Sequence, residues 1–403
     1  MSAAAGWIVT DVTVIDGLGS VRHGCDVRIA GGLIESVEPA GSPAPADRVV
    51  VDGRGCTLLP GLINMHDHLG SAPPPNETAD GCLIRSARNA RAVLRGGVTT
   101  MREVGNRERV GQTIRDAIQS GLLLGPRLIT SGRMVAPTAY GRPLGRVTAD
   151  SAPELRKAVR VLVEEGVDSI KITVSGGGSS RGSNVGVAHY SESDIAIVVG
   201  EAHRLGKRVA AHAIATSGIR SAVAAGVDTI EHCGWMGADG RLDVDQAVIA
   251  RMIAQGITVV PTMAVWYRPG YDDLASLSAD QRLMRAVRAE RTAAWSAMHQ
   301  AGVRFAAGPD SWEPLHPELG QVREIELLVG ELKLTPMDAI VAATHRGAVA
   351  LGLDAEIGSV RPGLRADLVL CAGDPLADIG ALRRIKRVWL AGRLALEEGR
   401  LVD

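Results

Sequence analysis

The segment LLPGLINMHDHLG, residues 58–70, sets His66 and His68 two positions apart behind a short apolar run. Side chains at i and i+2 of a strand share a face. Two imidazoles at that spacing aim at one point, and imidazole is the commonest metal-binding side chain. Taken alone, the segment reads equally well as half of a metal site or as two polar residues at a strand end. Other apolar runs carry single reactive residues: Lys171 in SIKITV, His212 in AAHA, His232 in IEHCG and Asp310 in AAGPDS. Four neutral imidazoles and a carboxylate suit zinc or a similar divalent ion, and a site with a position left open for water is catalytic rather than structural. Water bound there becomes hydroxide near neutral pH. Lys171 by itself reads as a surface or salt-bridged lysine, but its strand is otherwise apolar, and lysine is almost never fully buried without a partner.

These residues can act together only if the elements carrying them converge. Eight apolar runs, at residues 58–66, 97–105, 125–132, 167–176, 208–213, 228–234, 257–263 and 304–311, alternate with helical stretches such as SAPELRKAVRVLVEEG and SESDIAIVVGEAHRLG. Both stretches open on a serine suited to an N-cap and close on glycine. The pattern predicts an α/β fold, a (β/α)8 TIM barrel over residues 58–352, whose strand ends surround one mouth and gather the six residues there. A doubly wound open sheet is the alternative. It would place a glycine-rich phosphate loop after the first run, where none is present, and SGGGSS at 175–180 has the spacing of neither phosphate fingerprint. Residues 1–57 and 353–403 share a texture of short β-rich runs and glycine turns, and together they predict a small β-sandwich domain built from both ends.

The balance of 44 basic against 45 acidic residues gives no nucleic-acid footprint and favours a small-molecule substrate. No stretch has the length and apolarity of a membrane span, and the first residues lack the pattern of a secretory signal. A cytoplasmic protein is expected. The five cysteines are scattered and form no CxxC pair, so neither a disulfide framework nor a thiolate zinc cluster follows.

The ordered set PGLINMHDH, SIKITVSGG, AAHA, IEHCG, AAGPDS and GSVRPGLRADLVLCAGDPL resembles the amidohydrolase superfamily along nearly the whole chain. GVTTMREVG, GVDSIKI, GVDTIEH and AATHRGAVALGL make it most similar to the Xaa-Pro dipeptidase-like and imidazolonepropionase-like hydrolases. The resemblance implies a binuclear metal centre, with two divalent ions expected to be zinc. It makes His66, His68 and Asp310 ligands of one ion and His212 and His232 ligands of the other. Lys171, carboxylated by carbon dioxide, would bridge them. Asp310 would also take a proton from the attacking water and deliver it to the leaving amine, so that Asp310, Lys171 and His232 carry the catalysis. The chain departs from the branch in two places: MVAPTAYGRPLG stands where Gly-Gly-His-Gly is frequent, and Pro309 replaces a threonine. Metal chemistry survives both changes, and dipeptide specificity is not implied.

The sequence holds six Trp, four Tyr and one Phe, and most of them follow the apolar runs, at the mouth of the expected barrel. This predicts an apolar, ring-stacking pocket, with Tyr140, Trp235, Trp266 and Trp312 as its walls. Tyr140 is a donor to the substrate carbonyl, and Arg181 and His189 face a carboxylate or polar tail; packing of loops is the alternative for the aromatics, and an ordinary solvated loop position the alternative for Arg181 and His189. The expected activity is cleavage of an amide or peptide-like C–N bond in a small substrate with an apolar or aromatic group. Urea or carbamate hydrolysis, deamination and a non-enzymatic scaffold are the alternatives, and a homo-oligomer is expected.

Overall fold

In the computed structural model, residues 6–41, 43, 47–70, 76–138, 140, 145–177, 184–267, 271–311 and 317–402 are described. The architecture is α/β. The β-branched runs form parallel strands, and seven of them lie in one sheet in the order Arg146–Thr148, Met134–Ala136, Ser169–Thr173, Arg208–Ala215, Thr229–Met236, Thr258–Val260 and Arg304–Phe305. A second parallel sheet holds Leu62–Asp67, Val98–Glu103 and Arg127–Thr130. Backbone bonds join the two on both sides. The Asp168 N–H donates to Thr130 O at 2.8 Å, while at the other side Met65 N–H reaches Ala307 O at 2.9 Å and Asp310 N–H reaches His66 O at 2.9 Å.

Two short strands, Met134–Ala136 and Arg146–Thr148, stand at the start of MVAPTAYGRPLG and directly after it. Val135 pairs with Ile172, so this segment is built into the sheet beside Lys171. Three residues are too few for a periodic signal.

Helices start and stop where local chemistry provides for their ends. Helix Ala152–Glu164 follows Ser151, whose N–H donates to the Glu154 carboxylate at 2.9 Å, and helix Glu192–Arg204 follows Ser191, whose hydroxyl accepts from Asp194 N–H at 3.2 Å. Helices Thr216–Ala225 and Gln246–Gln255 end on Gly226 and Gly256, at φ of 81° and 69°. Only glycine adopts that left-handed geometry without steric cost.

The remaining sheet has nine strands drawn from both ends of the chain. Its seam is the antiparallel pairing of Cys56–Pro60 with Leu368–Ala372, from Cys56 opposite Ala372 to Pro60 opposite Leu368. Val9, Val12, Val27, Ile29, Leu58, Leu368, Leu370 and Trp389 fill one face. Strand Leu62–Asp67 begins immediately beyond this seam, so the pairing fixes the base of the strand that bears His66. Among the described residues, no helix is long and apolar enough to cross a membrane.

Candidate metal centre

His66 is the fifth residue of strand Leu62–Asp67 and His68 follows the strand's end. Lys171 is the third residue of Ser169–Thr173, His212 the fifth of Arg208–Ala215 and His232 the fourth of Thr229–Met236. Asp310 lies five residues beyond Arg304–Phe305. All six are buried, with at most 3% of their surface exposed. The rings form a chain, with centroids 5.4 Å apart for His66 and His68, 4.9 Å for His66 and His232, and 4.5 Å for His212 and His232. Asp310 Oδ1 is 3.8 Å from His66 Nε2 and 3.6 Å from His68 Nε2. Donor atoms of His66, His68 and Asp310 all lie within 4.8 Å of one another, close enough to hold one metal ion.

Proton bookkeeping shows which nitrogens are available to a ligand. The His68 Nδ1 is 2.8 Å from Gly105 O, and a carbonyl only accepts, so Nδ1 carries the proton. His66 Nδ1 faces the Glu231 carboxylate at 2.6 Å. The Thr262 hydroxyl donates to Pro261 O at 2.8 Å, which leaves its oxygen to accept His232 Nδ1–H at 2.7 Å. Three imidazoles thus hold their protons on Nδ1 and keep the ring lone pair on Nε2, and the Nε2 atoms of His66 and His68 face Asp310. This is the arrangement in which outer partners fix tautomers for a metal. Burial above all, then the charges of Lys171, His68 and Arg102, hold His66 far below the usual imidazole range and so neutral. His212 differs: its Nε2 sits 3.2 Å from Gly176 O and donates to it.

Behind His66 lies a fully buried ionic chain. Glu231 Oε1 accepts Arg102 Nη2 at 2.7 Å and the Thr229 hydroxyl at 2.5 Å, and Arg102 Nε donates to Met65 O at 2.8 Å. Asp67, beside the two histidines, accepts the N–H groups of His68 at 2.9 Å and Ser311 at 3.0 Å. It thereby ties the His66–His68 turn to the residue after Asp310. Burial pushes the Asp67 carboxyl up to about 7.

Backbone strain is concentrated here. His232, Cys233, Trp235, Thr262 and Asp310 have φ of 70°, 45°, 51°, 52° and 50°. Non-glycine residues rarely occupy this left-handed region, and they persist there only where the surroundings over-determine them. The consequence at His232 is direct. Ordinary alternation would send Glu231 and His232 to opposite faces of their strand, yet both reach His66 or its neighbours.

The expected pocket residues divide. The Tyr140 hydroxyl is buried and has no hydrogen-bond partner among the described residues. A Cβ added at Gly177 would lie 2.9 Å from that hydroxyl and 3.2 Å from His212 Nε2, so glycine leaves open the space where tyrosine and histidine meet. The half-buried His189 stacks edge-on to Tyr140 at 5.7 Å, and Trp266 meets the His232 ring at 6.1 Å. Arg291, fully buried, lies over Trp266 at 4.8 Å and Trp295 at 5.0 Å, which braces that wall from behind. Trp235 corrects the expectation. Its indole N–H points to Met298 Sδ at 3.2 Å on helix Arg288–Gln300, and the ring is fully buried against that helix. The left-handed backbone at Trp235 turns the side chain away. Arg181 and Trp312 lie outside the described residues.

Sequence reasoning missed Glu231, Arg102, Thr262 and Gly177. Glu231 adjoins His232 in TIEHCG, and a carboxylate inside an apolar strand is the one signal that marked it.

Imidazoles and a buried carboxylate, carried at the ends of parallel strands and close enough together to hold one divalent cation, define the class of this α/β protein as an enzyme built around a metal site. The chain belongs to the amidohydrolase family, whose model matches residues 57–395. It is 28% identical over 377 residues to ochratoxinase of Aspergillus niger, covering 84% of this chain and 75% of that protein. The ochratoxinase crystal structure superposes with a TM-score of 0.84 at 25% identity, covering 98% of this chain and 96% of the other. A Xaa-Pro dipeptidase crystal structure superposes at 0.86 and 27% identity, covering 96% and 99%. Imidazolonepropionase of Ralstonia nicotianae is 26% identical over 90% of both chains. The protein is therefore an enzyme of a family of metal-dependent hydrolases that act on C–N bonds, with a fold of TIM-barrel type.

Proposed function

We propose that this protein hydrolyses an amide or peptide-like C–N bond of a small substrate bearing an apolar or aromatic group, at a binuclear centre. The observation that carries this reading is the buried group of His66, His68 and Asp310, whose donor atoms lie within 4.8 Å of one another, with the His232 and His212 rings stacked beyond His66 and Lys171 near enough to act electrostatically on His66. His66, His68 and Asp310 would hold one ion, His212 and His232 the other, and Lys171, carboxylated on Nζ by carbon dioxide, both. His212 would hold that ion through Nδ1, or through Nε2 if its contact with Gly176 O were released. The donor set, imidazole and carboxylate, suits zinc. When bound, such ions polarise a carbonyl and lower the pKa of water.

The chain's own residues supply the rest. Asp310, with Oδ1 beside the His66 and His68 nitrogens, would accept the proton of the attacking water and return it to the nitrogen of the leaving amine. Tyr140, its hydroxyl uncommitted, would donate to the substrate carbonyl oxygen. Trp266 and His189 would form the wall against which an apolar group packs and from which water is excluded. Relatives named ochratoxinase and Xaa-Pro dipeptidase, with the buried ring of Trp266 at the site, favour a substrate with a carboxamide link and a bulky apolar part. We further read the two parallel sheets as one closed eightfold barrel over residues 58–352, supported by the bonds from Asp168 to Thr130 and from Met65 to Ala307, with residues 1–57 and 353–403 forming a β-sandwich.

The deciding experiment is metal analysis of purified protein together with a screen of N-acyl amino acids, Xaa-Pro dipeptides and aryl amides. Two divalent ions per chain, activity lost to chelators, and matched release of amine and carboxylate are expected. Ammonia release from a ring substrate would instead make it a deaminase. A metal-free protein whose activity survives chelation overturns the reading.

A further inference from the structure

Glu324 is fully buried on helix Pro317–Gly330, and both of its carboxylate oxygens are committed to one short stretch of backbone. Oε1 accepts Met263 N–H at 2.9 Å and Oε2 accepts Ala264 N–H at 2.7 Å. These are the leading N–H groups of helix Met263–Trp266, which have no partner inside their own helix. The residue before them is Thr262, held in the left-handed region, and its hydroxyl oxygen is the acceptor that keeps the His232 proton on Nδ1. The chain of contacts therefore runs from Glu324 through two N–H groups to Thr262, and from Thr262 to His232.

A strained residue such as Thr262 stays in place only if its neighbours leave it no alternative. On its N-terminal side, strand Thr258–Val260 pairs with Thr229–Glu231 of the strand that bears His232. On its C-terminal side, the Glu324 carboxylate pins both N–H groups. The same anchor sets the start of the helix that presents Trp266 to His232.

We propose that Glu324 is a positioning residue: acting through Thr262, it fixes the tautomer and ring orientation that turn His232 Nε2 toward a divalent cation. This rests on the metal-centre reading above. Glu324 touches neither substrate nor cation. Its hydrogen bonds lead to one ion's site, and at the other site only its charge is felt, by Asp310. A glutamine there keeps one acceptor oxygen, but its amide NH2 faces a backbone N–H and one bond is lost.

The test is titration of metal-free protein with cobalt(II), read as visible absorption and as two dissociation constants, alongside the melting temperature of the metal-free form. For Glu324→Gln, and for Thr262→Ala, one cobalt site is expected to weaken by about 10–100-fold, the range found for outer-shell partners. Its absorption band is expected to change while the other site is unaltered. The double variant is expected to be no worse than Thr262→Ala, because both act on one link. Glu324→Gln protein that binds both cobalt ions with parental constants and spectra, whether or not it melts lower, overturns the proposal. If Glu324→Gln does not fold, Glu324→Asp, whose carboxylate retracts by one methylene, is read by the same criteria. Parental protein that binds no cobalt overturns the metal-centre reading itself, an outcome separate from parental binding that the variants share.

Discussion

Replacing Glu231 by glutamine keeps the side chain's shape and removes its charge. In the native fold that charge receives Arg102 at 2.7 Å and the Thr229 hydroxyl at 2.5 Å on one oxygen, and His66 at 2.6 Å on the other. The Arg102 and Glu231 side chains are 3% and 0% exposed, so no solvent screens the pair. Arginine stays charged at any accessible pH, and a buried ion left without its partner costs about 3–5 kcal/mol. For a chain of 403 residues, unfolding entropy of about 2.1 cal/mol/K per residue amounts to about 0.85 kcal/mol/K, so the metal-free variant should melt about 4–6 °C lower. Calorimetry of three proteins decides it: Glu231→Gln, Arg102→Met and the double variant. The double variant should recover part of the loss, since it no longer buries an unpaired cation. Loss of the charged acceptor on Nδ1 also makes His66 a poorer donor, and metal affinity should fall about 10–100-fold. A Glu231→Gln protein that melts within about 1 °C of the parent, or a double variant whose loss equals the sum of the singles, refutes the reasoning.

Three further outcomes are expected. Burial raises the Glu103 carboxyl from 4.5 to about 8. Its contribution to stability is whole below 4.5 and is lost as pH climbs through about 8, so the urea midpoint of metal-free protein should decline across that window, and Glu103→Gln should flatten the decline. Tyr140→Phe should leave the melting temperature unchanged, because the hydroxyl bonds to nothing described, while kcat/KM on an amide substrate drops by about 10²-fold; an unaltered kcat/KM removes Tyr140 from the reaction. Burial raises the Cys233 thiol, and it pushes that of Cys371 up to about 12. Both should resist iodoacetamide in the native protein, with the partly exposed Cys56 labelled first by mass spectrometry.

The parts of this molecule legible in its sequence are those whose signal is local. His66 and His68 stand out because two polar residues share one face at the end of an apolar run, and Lys171 because a charge interrupts a strand. The serine caps of the helices from Ala152 and Glu192 belong to the same kind. What stayed hidden depends on residues distant in sequence. Glu324 sits in REIELL, where a glutamate on a helix ordinarily faces water, and only the fold brings it to Met263. Arg102 reaches Glu231 across 129 positions. Trp235 follows the sixth run, but its place after a run says nothing of where the indole points, and the fold sends it to Met298.

The pairing of Cys56–Pro60 with Leu368–Ala372 has a consequence for the order of events during synthesis. The Thr57 hydroxyl donates to Gly373 O, 316 positions later. At about 5–20 residues per second, roughly 15–60 s separate the emergence of the two partners from the ribosome. For that interval the root of the His66 strand lacks its neighbour. The four imidazoles of the site are all synthesised before that neighbour exists. Competence arrives only with the tail.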